Sequence, residues 1–243
     1  MGKGYTDGSC VYCIERKAEV GDHVVARQFF LPERRGNLPK VPACKHCNND
    51  KSRLEHVLTA VMPFGGRHAD AGRTLAELVP PRLAKNEKLH KAIAKGMKEH
   101  IVSNDGGPWE FGMTIPFDGH AMERLFEYVV RGLAWHHWKL LLRPDVFVRA
   151  MFLVEAGQRG FEYLLSLGAR DRVRVSLGDG AFTYEGVQAK DCPELTAWRL
   201  SFYGGVMVGG DRNHPMQRCT AAYGITAPKT WKSVQKLREM LGG

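Results

Sequence analysis

Apolar residues recur at helical spacing through Leu54, Val57, Leu58 and Val61, and Pro63 ends the run. That pattern predicts a helix beginning near Asn48. Asn48, Lys51, Ser52 and Glu55 share its other face, because residues three and four apart are neighbours. Those polar residues are therefore expected to project from one side while the apolar side packs. Upstream, Asp22 to Phe30 alternates poorly but carries Val24, Val25, Phe29 and Phe30. Arg34-Arg35-Gly36-Asn37 reads as a loop, and Pro39 and Pro42 keep the next stretch extended. The segment from about Ser9 to Val61 is thus strand-like turns followed by a helix.

Beyond Gly65-Gly66 the pattern predicts a short helix around Asp70 to Val79, closed by Pro80-Pro81. Arg82 to Ile101 reads as an amphipathic helix with Leu89, Ile93 and Met97 four residues apart. Its other side carries Lys85, Lys88, Lys91, Lys95 and Lys98. Glycine and proline fill Asn104 to Gly119, which reads as a linker or long loop. Ala121 to Leu142 is apolar nearly all round, as expected of a buried central helix whose Trp135 and Trp138 belong to the core. Then the period changes: Val173, Val175 and Leu177 alternate with Arg172, Arg174 and Ser176. Gly178-Asp179-Gly180 turns the chain into Ala181 to Gln188, a hairpin signal. A second hairpin is predicted from Thr196 to Tyr203, through Gly204-Gly205, into Val206 to Val208. Pro228 opens a basic C-terminal helix ending near Leu241.

The predicted fold class is therefore α+β. A small module at 1–62 precedes an α+β body at 63–243, helical over 66–168, β-rich over 170–226 and helical again over 228–241. At 243 residues, with 44% hydrophobic and 25% charged residues, the chain has the composition of a globular protein able to bury a core. Its 35 Lys and Arg against 26 Asp and Glu leave a formal charge of +9, which suits a polyanionic partner, nucleic acid first. No apolar run approaches the roughly 18 residues of a membrane span, and no secretory signal opens the chain. Both point to a cytoplasmic protein without a membrane partner.

That compartment changes how the cysteines read. Cys10-x-x-Cys13 and Cys44-x-x-Cys47 are two knuckles, and in a reducing interior such pairs point to a tetrahedral four-thiolate zinc site, not to disulfides. Cys192 and Cys219 fall outside any motif. Between the knuckles lie Asp22-His23 and Asn37, and Asn48-x-x-Lys51-Ser52 follows the last cysteine. Zinc would act as the staple and the polar residues as the chemistry.

Those residues, in that order, resemble an HNH endonuclease module, the ββα-metal finger, with Asn at the helix position more often occupied by His. The resemblance covers about Cys10 to Glu55. It implies that His23 is the general base and that Asp22 with Asn48 binds a catalytic Mg²⁺ or Mn²⁺. It also implies that Asn37 holds the loop that aims His23, and that Lys51 contacts the phosphate. One departure is Ala26, where the family often has a proline that stiffens the strand exit.

Chemistry agrees with these roles. Hydrolysing a phosphodiester needs an activated water, charge neutralisation at the phosphate and help for the leaving oxygen. A neutral imidazole can take the water's proton, and a carboxylate with an amide oxygen makes a sparse oxygen site for a hard cation. The expected partner is double-stranded DNA, with a homodimer favoured if both strands are cut. The lysines from Lys85 to Lys98 are expected to track phosphates. The implied setting is restriction, phage defence or mobile-element biology. Two other functions fit the same sequence: a non-catalytic zinc-knuckle module binding DNA or protein, and a nuclease gated by a ligand-sensing C-terminal region. His46 reads as a knuckle residue, His56 and His68 as residues within reach of the site, and His136-His137 as a packed pair.

Overall fold

A computed structural model of the chain describes Tyr5 and residues 8–103, 109–153, 155–166, 169–208, 217–219 and 221–232. The fold is mixed α+β. Strand β1 (Val20–His23) pairs antiparallel with β2 (Lys40–Ala43), Val20 opposite Ala43 and His23 opposite Lys40. Strand β2 runs directly into helix α1 (Lys45–Val61). The loop between the strands is itself packed, with Val24, Val25, Phe29, Phe30 and Leu31 buried. The expected end of α1 before Pro63 matches the structure.

The next expectations need correction. Pro80 and Pro81 do not close a helix; they sit in the first turn of α3 (Val79–Lys85), where a missing N–H costs nothing. A π-helical turn over Thr74–Leu78 joins α3 to α2 (Ala69–Arg73). The amphipathic helix expected over Arg82 to Ile101 is broken at Asn86, whose Oδ1 accepts the Leu89 N–H and caps α4 (Glu87–Gly96). Beyond Gly96 the chain becomes β3 (Lys98–Ser103), paired with β4 (Trp109–Thr114) inside the expected linker. The lysine stripe is consequently split. Lys85 ends α3, Lys88, Lys91 and Lys95 are exposed on α4, and Lys98 lies on β3.

Helix α5 (Gly119–Trp138) is the buried central helix anticipated, capped by Asp118 Oδ1 on the Ala121 N–H and closed by Lys139 in a left-handed conformation. It lies between the ββα unit and a five-stranded antiparallel sheet. That sheet comprises β5 (Val146–Met151), β6 (Asp171–Leu177), β7 (Phe182–Gln188), β8 (Thr196–Phe202) and β11 (Ala222–Pro228), in the order β5-β11-β8-β7-β6. Residues alternate across it. Trp198, Leu200 and Phe202 face the main core with α5, while Val187, Ala197 and Tyr223 face α6 (Glu155–Ser166) through Phe161 and Leu165. The first predicted hairpin is β6–β7. The second is not a hairpin: β8 pairs with β7 and β11, whereas β9 (Val206–Val208) pairs with β10 (Gln217–Cys219). Tyr203, Gly204 and Gly205, all at positive φ, turn the chain away from the sheet. Pro228 ends β11 instead of opening a helix, and most of the predicted terminal helix falls outside the described residues.

One hydrophobic cluster runs from the knuckles to the sheet. Phe202 stacks near Phe126 of α5 (4.9 Å), Phe182 of β7 (4.6 Å) and Phe29 of the β1–β2 loop (5.4 Å). Helix and sheet approach closely at Gly224, where a Cβ would stand 2.4 Å from the Val130 Cγ2. No helix among the described residues is long and apolar enough to cross a membrane.

Gly224→Ala should therefore lower stability by about 1–3 kcal/mol through overpacking, overriding the usual gain from replacing glycine. Gly72→Ala, in α2 with open space around it, should instead raise stability by about 0.5–1 kcal/mol. Thermal unfolding of both variants checks the pair, and equal shifts would contradict the close approach.

Candidate metal centre and active site

Two tight turns bring the cysteines together. In the first knuckle, the Ile14 N–H donates to Cys10 O and the Cys10 N–H to Arg16 O. Ile14 takes a positive φ of 65° to complete the turn. In the second, Cys44 is the N-cap of α1 and its Sγ accepts the Cys47 N–H. The four Sγ atoms of Cys10, Cys13, Cys44 and Cys47 all lie within 4.8 Å of one another, and all four cysteines are free. Cys13 and Cys44 Sγ are 3.9 Å apart. A tetrahedron of sulfurs about 2.3 Å from a zinc ion has edges of about 3.8 Å, so the set could hold zinc. Burial raises the Cys10 and Cys47 thiols above their ordinary range. As thiolates the four would repel one another in so small a space, and a cation bound among them would offset that repulsion.

The candidate catalytic residues lie beside this cluster. The Asp22 Oδ2 accepts the Tyr12 hydroxyl at 2.6 Å and is 3.0 Å from Lys51 Nζ. Tyr12 sits between the first two cysteines; its burial and then the Asp22 carboxylate hold its phenol protonated, which fixes it as the donor. The sequence motif does not single out Tyr12, although its position inside the knuckle places it.

Lys51 departs from the exposed face predicted for it. Its side chain is 0% exposed, and Nζ donates to the His23 carbonyl oxygen at 2.6 Å and to the Glu55 carboxylate. With Asp22, three oxygens surround the ammonium and match its three donors. An ammonium so enclosed is not a free charge for phosphate; it binds α1 to the end of β1. Two carboxylates around one ammonium leave the group net negative when both are ionised. Burial first, then the Asp22 charge, raises the Glu55 carboxyl despite Lys51.

His23 is half-buried at the end of β1. Burial, followed by the charges of Lys40 and Arg27, holds its imidazole down to about 4, so it is neutral near pH 7. Asn48 is the fourth residue of α1, half-exposed, and three residues before Lys51, hence on the face that meets β1. It does not cap the helix, since Cys44 does. Asn37 is exposed with φ 54°, a turn residue in the left-handed region. No side-chain hydrogen bond ties it to His23 among the described residues. Ala26, where the resemblance leads one to expect proline, has φ −54°, which proline also adopts.

The remaining histidines divide clearly. His46 is exposed on the first turn of α1. His68 is a structural residue, with Nδ1 accepting the Asp70 N–H as N-cap of α2 and Nε2 bonded to Asp179 O. His137 bonds the Tyr184 hydroxyl at 2.9 Å and packs edge-on to His136. His56 is exposed and lines a cleft of about 370 Å³ next to the site. A larger cavity, about 570 Å³, lies near the C-terminal end of α5 and is lined by none of the candidate catalytic residues.

Comparison with family models, with curated proteins and with solved structures finds no match to this chain.

Purified protein should carry one zinc per chain. Its affinity for zinc should rise with pH, because binding displaces thiol protons. Metal analysis and zinc titration at two pH values check this; zinc-free protein with the four thiols oxidised would contradict it. Lys51→Met should cost about 3–5 kcal/mol at neutral pH by leaving two largely enclosed carboxylates without their cation. Adding Glu55→Gln should recover part of that loss in denaturant titrations, and strictly additive losses would contradict the shared ammonium.

Proposed function

We propose that this chain is a metal-dependent endonuclease of the HNH type that hydrolyses phosphodiester bonds of nucleic acid, with double-stranded DNA as the substrate. The observation that carries the proposal is the placement of the adjacent Asp22 and His23 at the end of β1, with the Asp22 carboxylate and the His23 carbonyl both held by the buried Lys51 ammonium. The order of elements, β1, β2 and α1 stapled at both ends by cysteines, supports the same reading.

In this proposal His23 takes a proton from the attacking water. The water's oxygen forms the new P–O bond as the bond to the leaving oxygen breaks, and His23 retains the proton. The Asp22 carboxylate and the Asn48 amide oxygen would hold a Mg²⁺ or Mn²⁺ ion. Such a cation, when bound, neutralises charge developing on the phosphate and the leaving oxygen. Lys51 is a positioning residue: it fixes the His23 carbonyl and one oxygen of Asp22, leaving the other for the cation. With both carboxylates ionised, Asp22, Glu55 and Lys51 carry a net negative charge that favours that cation.

The test is nicking of supercoiled plasmid with and without Mn²⁺. His23→Ala should lose about 10²–10⁴-fold in rate while keeping its fold and zinc content. Cleavage by His23→Ala at the wild-type rate, with contaminating nuclease excluded, would overturn the assignment.

A further inference from the structure

The cleft of about 370 Å³ beside the candidate site is built chiefly from three elements of the chain. Its floor is the outer face of α1 at Glu55, His56 and Thr59. One wall is the β1–β2 loop with Gln28 and Arg35, and the other is α3 with Arg82 and Lys85. The floor shares Glu55 with the Lys51 network, so the cleft begins where the Asp22–His23 pair is anchored.

Its two guanidinium groups are held in an unusual way. The Arg35 Nε–H donates to the carbonyl oxygens of Arg27 and Phe30, both at 3.1 Å. Arg82 spans the cleft, with Nη1 donating to Thr59 O at 2.6 Å and Nη2 to Gln28 O at 2.5 Å. All four acceptors are neutral backbone carbonyls. Among the described residues neither arginine has a carboxylate at ion-pair distance. Both are half-buried, and the charge of Arg35 acts against that of Arg82. Two like charges brought together and partly desolvated oppose folding, and the Glu33 carboxylate offsets that of Arg35 only from beyond ion-pair distance. Backbone carbonyls aim the two groups without neutralising them, and among the described residues the Nη groups of Arg35 and part of the Arg82 fork keep unused donors.

A guanidinium fork matches the oxygens of a phosphate, and the Nη pair of Arg35 and the remaining N–H groups of Arg82, with exposed Lys85 and His56 at the rim, suit a chain of phosphates better than one small anion. Glu55 lines the floor with its carboxylate turned to Lys51, which it shares with Asp22.

We infer that this cleft grips the nucleic-acid backbone beside the scissile bond, with Arg35 and Arg82 sharing one phosphodiester and Lys85 meeting the next. The inference rests on the nuclease reading of the adjacent site, but its residues lie outside the candidate catalytic set, and two of them belong to α3 in the body of the chain.

The test is binding of a fluorescent DNA duplex by the full zinc-loaded chain carrying His23→Ala, across a range of salt concentrations without Mg²⁺ or Mn²⁺. Arg35→Gln and Lys85→Glu, singly and together, are compared with a control, Lys17→Gln with Lys190→Gln, that removes two exposed charges elsewhere. Lys85 forms no ion pair among the described residues, so its reversal leaves the fold intact even if Arg35→Gln perturbs the loop. The expected result is a salt dependence shallower by about one unit of slope for each phosphate that the variant no longer neutralises. Slopes for the cleft variants equal to the control's would overturn the inference. Plasmid nicking by the chain with His23 intact separates the two claims. Cleavage with unchanged slopes removes the cleft alone, whereas neither cleavage nor duplex binding removes both readings together.

Discussion

Lys51 carries its ammonium to a place without solvent, where oxygens from three residues must replace the water it has lost. That demand fixes how α1 sits on β1. An unpaired buried ammonium is costly enough to unfold a small module, so Asp22, Glu55 and the His23 carbonyl have to converge on it. The convergence holds Asp22 and the His23 backbone at the end of β1, against the helix that also carries Asn48. Four thiols set close enough for one zinc ion include the N-cap of α1, so a bound zinc would constrain the same helix that the electrostatic tie holds to β1.

The body supports this arrangement through packing. Phe29, in the loop that follows His23, reaches Phe202 of the sheet, and Phe202 also meets Phe126 of α5. The tip of the β6–β7 turn is tied in as well, with Asp179 pairing with Arg34 at 3.0 Å and its carbonyl bonding His68. Loop geometry near the candidate base is thereby set by residues far along the chain. A change in the sheet could therefore reach the loop through packing that already exists.

Much of the module is readable because its information is local. Knuckle spacing, the Asp-His pair and the helix ending before Pro63 each depend on neighbouring residues, and the structure has them in the expected elements. The burial of Lys51 is not local. A lysine on the polar face of an amphipathic helix reads as solvated, and only Asp22, reached through the fold, reverses that. The lysine stripe misleads for a related reason. Spacings of three and four continue from Lys85 to Lys98, but Asn86 caps a new helix and Gly96, pressed against Pro116, precedes a strand. Glycine and proline around β4 conceal a strand pair, and three residues at positive φ after Phe202 send β9 to a partner other than β8. Arg35 and Arg82, with forty-six residues of intervening chain, share a cleft that no local pattern signals.

The central claim is that a hard divalent cation is held by Asp22 and Asn48, separately from the four cysteines. A crystal of the zinc-loaded protein soaked in Mn²⁺ measures this directly through anomalous scattering. The expected result is a manganese peak between the free oxygen of Asp22 and the amide oxygen of Asn48, with a distinct zinc peak among the four Sγ atoms. Manganese absent from Asp22, with the Asn48 amide turned away from β1, would contradict the account.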